Sequence, residues 1–264
     1  MAGLLGQQLA ARPVGFSYPP DGCILLQHSH LVKLRGKFPK GDFRAELWRA
    51  SKLVSSQVMK DSSWTVTADP GVDYEWKVFE GPHLRSQGHF MVAVEFIFSA
   101  DGADGRSGSA GITSQEGAAG KNGGQIEGEL RRFEDGMHLK LRAGNRQAHY
   151  LFSEPGLRLE VTARGGNGGD GADGIAWHGR RPACGRKGGD AGWGGNLVIT
   201  TYDAPWRDYL DVDLTPGRPG AGGRGAIWTP ETGDTAYAPD GPSGQEGMGG
   251  RVETRLAKEG RPKP

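Results

Sequence analysis

Three stretches of this sequence carry residue types that could do chemistry. The first is His28-Ser29-His30. Side chains alternate along a strand, so a strand here would set both imidazoles on one face. A metal site needs a third or fourth ligand, and none is identifiable nearby, so the pair reads as the polar face of a strand. The second is Gly165-Gly166-Asn167-Gly168-Gly169-Asp170, which matches half of the calcium-binding nonapeptide G-G-x-G-x-D. The large aliphatic residue due two places after the aspartate is only Ala172, and the tandem copies that would share ligands are missing. The expectation is therefore no metal and no cofactor. The third is a pair of loops, one carrying Trp177, His178, Arg180 and Arg181, the other Ile227, Trp228, Glu231, Asp234 and Tyr237. Exposed aromatic and arginine side chains suit protein hot spots, and aromatic faces suit sugars or bases. The bland alternative folds Trp177, Trp228 and Tyr237 back as lids.

Catalytic signatures are missing. There is no G-x-S-x-G nucleophile elbow and no H-E-x-x-H zinc motif. Scattered carboxylates such as Glu154 and Glu160 occur in every soluble protein. No catalytic residue is assigned, and the chain reads as a non-enzyme. An alternative from another class is a polysaccharide-active enzyme, with Trp177 and Trp228 as platforms and Glu231 or Asp234 as acids.

The elements that must hold those loops follow one plan, stated three times. From Leu157 to Thr201 an alternating strand runs into Gly165, Gly168, Gly171 and Gly174. The Trp177 loop follows, glycines return at Gly185 and Gly188, and a strand closes the unit at Leu197 to Thr200. Upstream, the strand Met91 to Phe98 leads into Gly102, Gly105, Gly108 and Gly111, a short loop, Gly117, Gly120 and Gly123, and a strand from Gln125. Downstream, Tyr209 to Leu214 leads into Gly217, Gly220 and Gly223, then a loop from Ala226 to Asp240. Gly241, Gly244, Gly247 and Gly250 then hand over to Arg251 to Leu256. A period of three matches polyproline II, which has three residues per turn and no internal hydrogen bonds. Its backbone groups must bond to neighbours, and glycine lets backbones come that close. The predicted fold class is all-β plus a bundle of six polyproline II helices.

The rest of the chain supplies a base. Residues 1–20 read as a flexible tail with Pro13, Pro19 and Pro20, and 21–89 as an N-terminal β domain in the form of a small sandwich or barrel half. The glycine-rich domain covers 90–256 and a second tail 257–264. Ser51 to Lys60 is open between a short helix and an irregular strand, and Asp135–Gly136 predicts a hairpin turn. Of 46 glycines, 37 follow residue 99, so a conventional side-chain core cannot carry that part. Basic and acidic residues number 32 and 31, which implies no polyanion partner. Cys23 and Cys184 lie far apart, and whether they pair is not legible. No apolar run reaches the length of a membrane span. The start lacks a charged n-region, while AGLLGQ would suit the mature end of a lipoprotein.

The glycine triplets GGNGGDGADG and GRKGGDAGWGGNLVIT, with the three-fold plan around them, resemble the glycine-rich N-terminal domain of Obg GTPases. That resemblance covers about residues 90–256 and implies six polyproline II helices standing on a small β-barrel. No G-x-x-x-x-G-K-[S/T] occurs, so the GTPase activity of the family does not carry over. The pattern is similar also to the polyglycine sandwich of phage tail-fibre adhesins, where loops between glycine helices bind the receptor. Both imply a rigid bundle presenting loops to a protein or glycan. A surface or secreted adhesion module at the cell envelope is favoured over an Obg-like ribosome binder, which should be markedly basic, and a cytoplasmic place stays open.

Overall fold

A computed structural model describes residues 14–110, 114–176, 182–202, 205–229 and 235–257. The described residues contain strands, one short 3₁₀ turn at Trp206–Asp208 and no α-helix. The protein is all-β in that sense. It forms two compact units, the first built from residues up to 94 with 134–136 and 149–155, the second from 95–133, 137–148 and 156 onward.

The first unit contains β1 (Gly15–Tyr18), β2 (Cys23–Leu26), β3 (Leu31–Lys37), β4 (Phe43–Arg49), β5 (Lys52–Met59), β6 (Ser63–Thr67), β7 (Asp73–Glu80) and β8 (His83–Val92). One antiparallel sheet runs β1-β3-β6; the second run is β2-β8-β7-β4-β5, antiparallel from β8 to β5 with β2 parallel to β8. Alternation along each strand decides which side chains meet between them: Phe16, Leu34 and Trp64 from the first, Phe43, Leu47, Trp76 and Phe90 from the second. The expected tail over residues 1–20 is corrected at its end, where β1 forms; residues 1–13 lie outside the described residues. Phe16 is buried and its ring packs edge-on against Trp76, so an apolar side chain with a core to fill outweighs the nearby prolines. Ser51 to Lys60 resolves as strand β5. A bulge at Val54 and lysines at both ends blunt this outer edge. His28 and His30 lie in the turn between β2 and β3, not in a strand. There the Glu154 carboxylate accepts the N–H groups of His28 and Ser29 at 3.2 and 3.3 Å.

The second unit contains β9 (Ile97–Ser99), β10 (Gln125–Phe133), β11 (Gly136–Ala143), the start of β12 (Arg146–Phe152), β13 (Leu159–Thr162), β14 (Asn196–Thr201) and β15 (Leu210–Asp213). It ends with the two-residue strands β16 (Ile227–Trp228) and β17 (Ala236–Tyr237), then β18 (Val252–Leu256). The expected strand Met91 to Phe98 is broken: β8 stops at Val92 and β9 starts at Ile97. The expected hairpin forms one residue earlier than Asp135–Gly136: Glu134 and Asp135 make the β10–β11 turn, and Gly136 opens β11 at φ 146°. The three repeats stack in register. Their outgoing strands form the parallel sheet β9-β13-β15, and their returning strands the parallel row β10-β14-β18. Phe98, Ile126, Leu159, Val161, Leu197 and Ile199 are buried on the facing sides.

Between outgoing and returning strands the six glycine-rich segments are neither α-helix nor β-strand, yet they are tightly cross-bonded. Gly102, Gly105 and Gly108 donate to Arg164, Asn167 and Asp170 carbonyls at 2.7–2.8 Å. Gly165, Gly168, Gly171 and Gly174 donate in turn to Thr215, Arg218, Ala221 and Arg224. Every third amide thus points at the next repeat. A Cβ at Gly117, Gly120, Gly123, Gly188, Gly217, Gly220, Gly223, Gly241 or Gly244 would land on a neighbouring carbonyl. None of these glycines has a left-handed φ, so space and not backbone freedom requires them. The middle repeat bonds to both others: Gly169 donates to Ala118 of the first, and Gly220 of the third donates to Gly189. That is why it carries paired glycines, with Gly166, Gly169, Gly189 and Gly192 added to the every-third set. Gly111 lies outside the described residues.

Side chains reinforce the rungs. Asp101, Asp104, Asn167, Asp170 and Asp173 each precede a glycine and each accept a backbone N–H of the next repeat at 2.6–2.9 Å. Asp190 does the same for Gln245 and bonds Lys187 Nζ, both at 2.8 Å. The Lys187 ammonium, with the Gln245 amide, holds its carboxyl below the usual carboxylate range. In the third repeat Pro216 and Pro219 stand in register with Gly165 and Gly168, so the donors that would reach a fourth repeat are missing.

Candidate functional site

The third repeat ends in a short hairpin. β16 pairs antiparallel with β17, Ile227 opposite Tyr237 and Trp228 opposite Ala236. Ala238 donates to Ala226 O at 3.0 Å, which makes Ala226/Ala238 a hydrogen-bonded pair. Ile227 and Tyr237 are then the closer, non-hydrogen-bonded pair, where side chains approach most nearly. They are 62% and 73% exposed, a contiguous apolar pair facing solvent. Trp228 is half-buried. The reading of Tyr237 as a lid is therefore corrected: the hairpin ladder turns it outward.

Rigid contacts hold the hairpin's base. Buried Ala226 donates to Ala183 O at 3.0 Å, and Asp240 Oδ1 accepts the Gly225 N–H at 2.7 Å. A side chain at Gly225 would strike Ala238 O. The hydroxyls of Thr229 and Thr235 lie 3.3 Å apart at the hairpin's far end. Ala183 also donates to Ile175 O at 3.2 Å, so the stems of the second and third loops are joined. Trp177, His178, Arg180 and Arg181 lie outside the described residues, as do Glu231 and Asp234. The structure thus brings together Ile227, Trp228 and Tyr237 from the predicted set.

Two suggested metal sites resolve differently. Asn167 and Asp170, the liganding types of the half nonapeptide, have Oδ1 engaged by Arg218 and Ala221 amides. Among the described residues no group of three or more His, Cys, Asp or Glu gathers as a metal site. Cys23 and Cys184 are both free thiols, Cys23 buried and Cys184 exposed. Burial, with Asp135 nearby, pushes the Cys23 thiol up to about 12.

The sequence reading missed one open feature, the outer strand β18. It sits at the end of its sheet and is exposed along its whole length, with Leu256 at 81%. A pocket of about 550 Å³ opens beside it, lined by Trp206, Leu210, Pro216 and Val252 among others. Counting repeats could have found it, because the last unit of a stack has no successor to cover it.

No family model and no curated protein matches the chain. Among solved structures it matches extracellular domains 3–5 of Drosophila OTK with a TM-score of 0.24 and 9% identity. That match spans 54% of this chain and 66% of the other, and so slight a likeness carries no argument. Among the described residues no helix is long and apolar enough to cross a membrane.

Proposed function

We propose that the six glycine-rich segments are polyproline II helices bundled in the manner of the Obg glycine-rich domain, and that the chain is a non-enzymatic binding module. On this reading the bundle is a stiff stalk that presents its tips to a protein or glycan at the cell envelope or outside the cell. The observation that carries it is the Ile227/Tyr237 pair, apolar, mutually adjacent and exposed on a hairpin whose base is fixed by backbone bonds. A surface that is already ordered loses little conformational freedom when it docks, and an aromatic beside an aliphatic is a common anchor composition. Near-neutral net charge, +1, fits such a partner better than ribosomal RNA.

The test is binding of the full chain and of an Ile227→Ser/Tyr237→Ser variant to a glycan array, envelope fractions and ribosomes. Retention on a glycan or envelope component that drops at least tenfold in the variant supports the proposal. Equal retention of the two proteins, or ribosome binding that falls steeply with salt, refutes it.

A further inference from the structure

Beyond the tips, we infer that β18 is an interface for a second copy of this chain, paired antiparallel along the open edge about Thr254. Three observations converge on this. First, the edge is vacant where its equivalents are filled. Leu197, Ile199 and Thr201 of β14 are buried, whereas their register partners Val252, Thr254 and Leu256 are exposed. Two other outward rows carry stop signals: Pro216 and Pro219 lack donors, and β5 has its bulge and lysines. β18 has neither proline nor bulge, and its two charges are of opposite sign.

Second, the backbone faces the right way. Leu197 donates to Arg251 O, and Ala257 donates to Thr201 O. In a parallel ladder alternate residues bond the same neighbour, so 251, 253, 255 and 257 face β14. Val252, Thr254 and Leu256 therefore turn N–H and C=O outward. A two-fold axis at Thr254 sets Thr254 opposite its own copy and Val252 opposite Leu256, each a bonding pair.

Third, the side chains are self-complementary in that register. Glu253 falls opposite Arg255 of the second copy, twice, at the non-hydrogen-bonded positions where side chains are closest. Within one chain the two already meet, Arg255 Nε to Glu253 Oε1 at 2.7 Å, and both are more than half exposed. An axis at Glu253 or at Arg255 would instead oppose like charges, and one at Val252 would need the Gly250 amide, which already donates to Leu214 O, so Thr254 is selected. On the other face Val252 and Leu256 of each copy meet beside the Trp206 pocket.

Sedimentation equilibrium of the full chain, as a concentration series, tests this. The expected result is a reversible rise to twice the 28.1 kDa chain mass. Arg255→Glu alone, which places Glu opposite Glu, should return the mass to monomer. Glu253→Arg/Arg255→Glu should restore the dimer, because complementarity is rebuilt with signs exchanged. Val252→Pro, which removes an outward donor at the first strand position and leaves the β14 ladder intact, should also give monomer; circular dichroism confirms its fold. A wild-type mass that stays monomeric at all concentrations overturns the inference. So does a dimer that survives both Arg255→Glu and Val252→Pro.

Discussion

Gly188→Ala isolates what holds the glycine segments together. The added Cβ would sit on Gly220 O and only 2.5 Å from Ala221 O and Gly220 C. Carbon contacts are relaxed at about 3.5–4.0 Å, so the two segments must part by about 1 Å. The Gly220–Gly189 bond, 2.9 Å in length, breaks, and the flanking Gly217–Gly192 and Gly223–Arg186 bonds, also 2.9 Å, are strained. A buried backbone group left unmet costs about 1–3 kcal/mol. One broken bond leaves two such groups, so the loss is roughly 3–5 kcal/mol. The stiffer unfolded chain returns about 0.4–1 kcal/mol. The net is about 3 kcal/mol, which for a unit of this size lowers the melting temperature by about 6–12 °C. Gly249→Ala is the control. It lies in the same kind of run, with no left-handed φ, and its nearest foreign atom is Leu214 O at 3.9 Å. It should change stability by less than about 0.5 kcal/mol. Thermal melts of the three proteins by circular dichroism decide the matter. Gly188→Ala melting with wild type, or Gly249→Ala falling as far as Gly188→Ala, would refute backbone proximity as the binding principle.

Two further outcomes follow from the ionisable groups. Asp190 has a folded pKa depressed first by Lys187 and then by the Gln245 amide, so its contribution to stability is present above the ordinary carboxylate pKa and lost as pH falls through the depressed value; Asp190→Ala should flatten the acid side of the stability–pH profile, and an Asp190 carboxyl that titrates in the ordinary range by NMR would contradict this. Cys23, with its thiol pushed up to about 12 and buried, should resist iodoacetamide in the native protein at neutral pH while exposed Cys184 is alkylated, and mass spectrometry of labelled peptides reads both.

The repeat plan was legible because it rests on one-residue facts: glycine at every third position, strands at either side. Legibility ended where two distant segments decide together. Gly166 and Gly189 look redundant in the sequence, since the triplet is already satisfied. They are needed because the middle repeat has neighbours on several sides, which no local pattern states. Asp170 completes only half of a calcium motif locally, and its partner, an amide 51 residues away, is not legible there. Phe16 shows the same limit from the other side: the nearby prolines argue for a tail, but the aromatic cluster that captures its ring forms only in the folded sheet. The tip was legible as composition alone, and the exposure of Tyr237 follows from hairpin register, which pairs it with Ile227 ten positions earlier and which no local pattern states.

The glycine segments bury carbonyls and amides where most proteins bury hydrocarbon, and that choice changes how the structure meets cold. Apolar burial loses its driving force on cooling; dipoles locked rung to rung do not depend on water ordering in that way. Segments cross-bonded in this way keep their stiffness at temperatures where an equally long structure built on a greasy core would begin to soften.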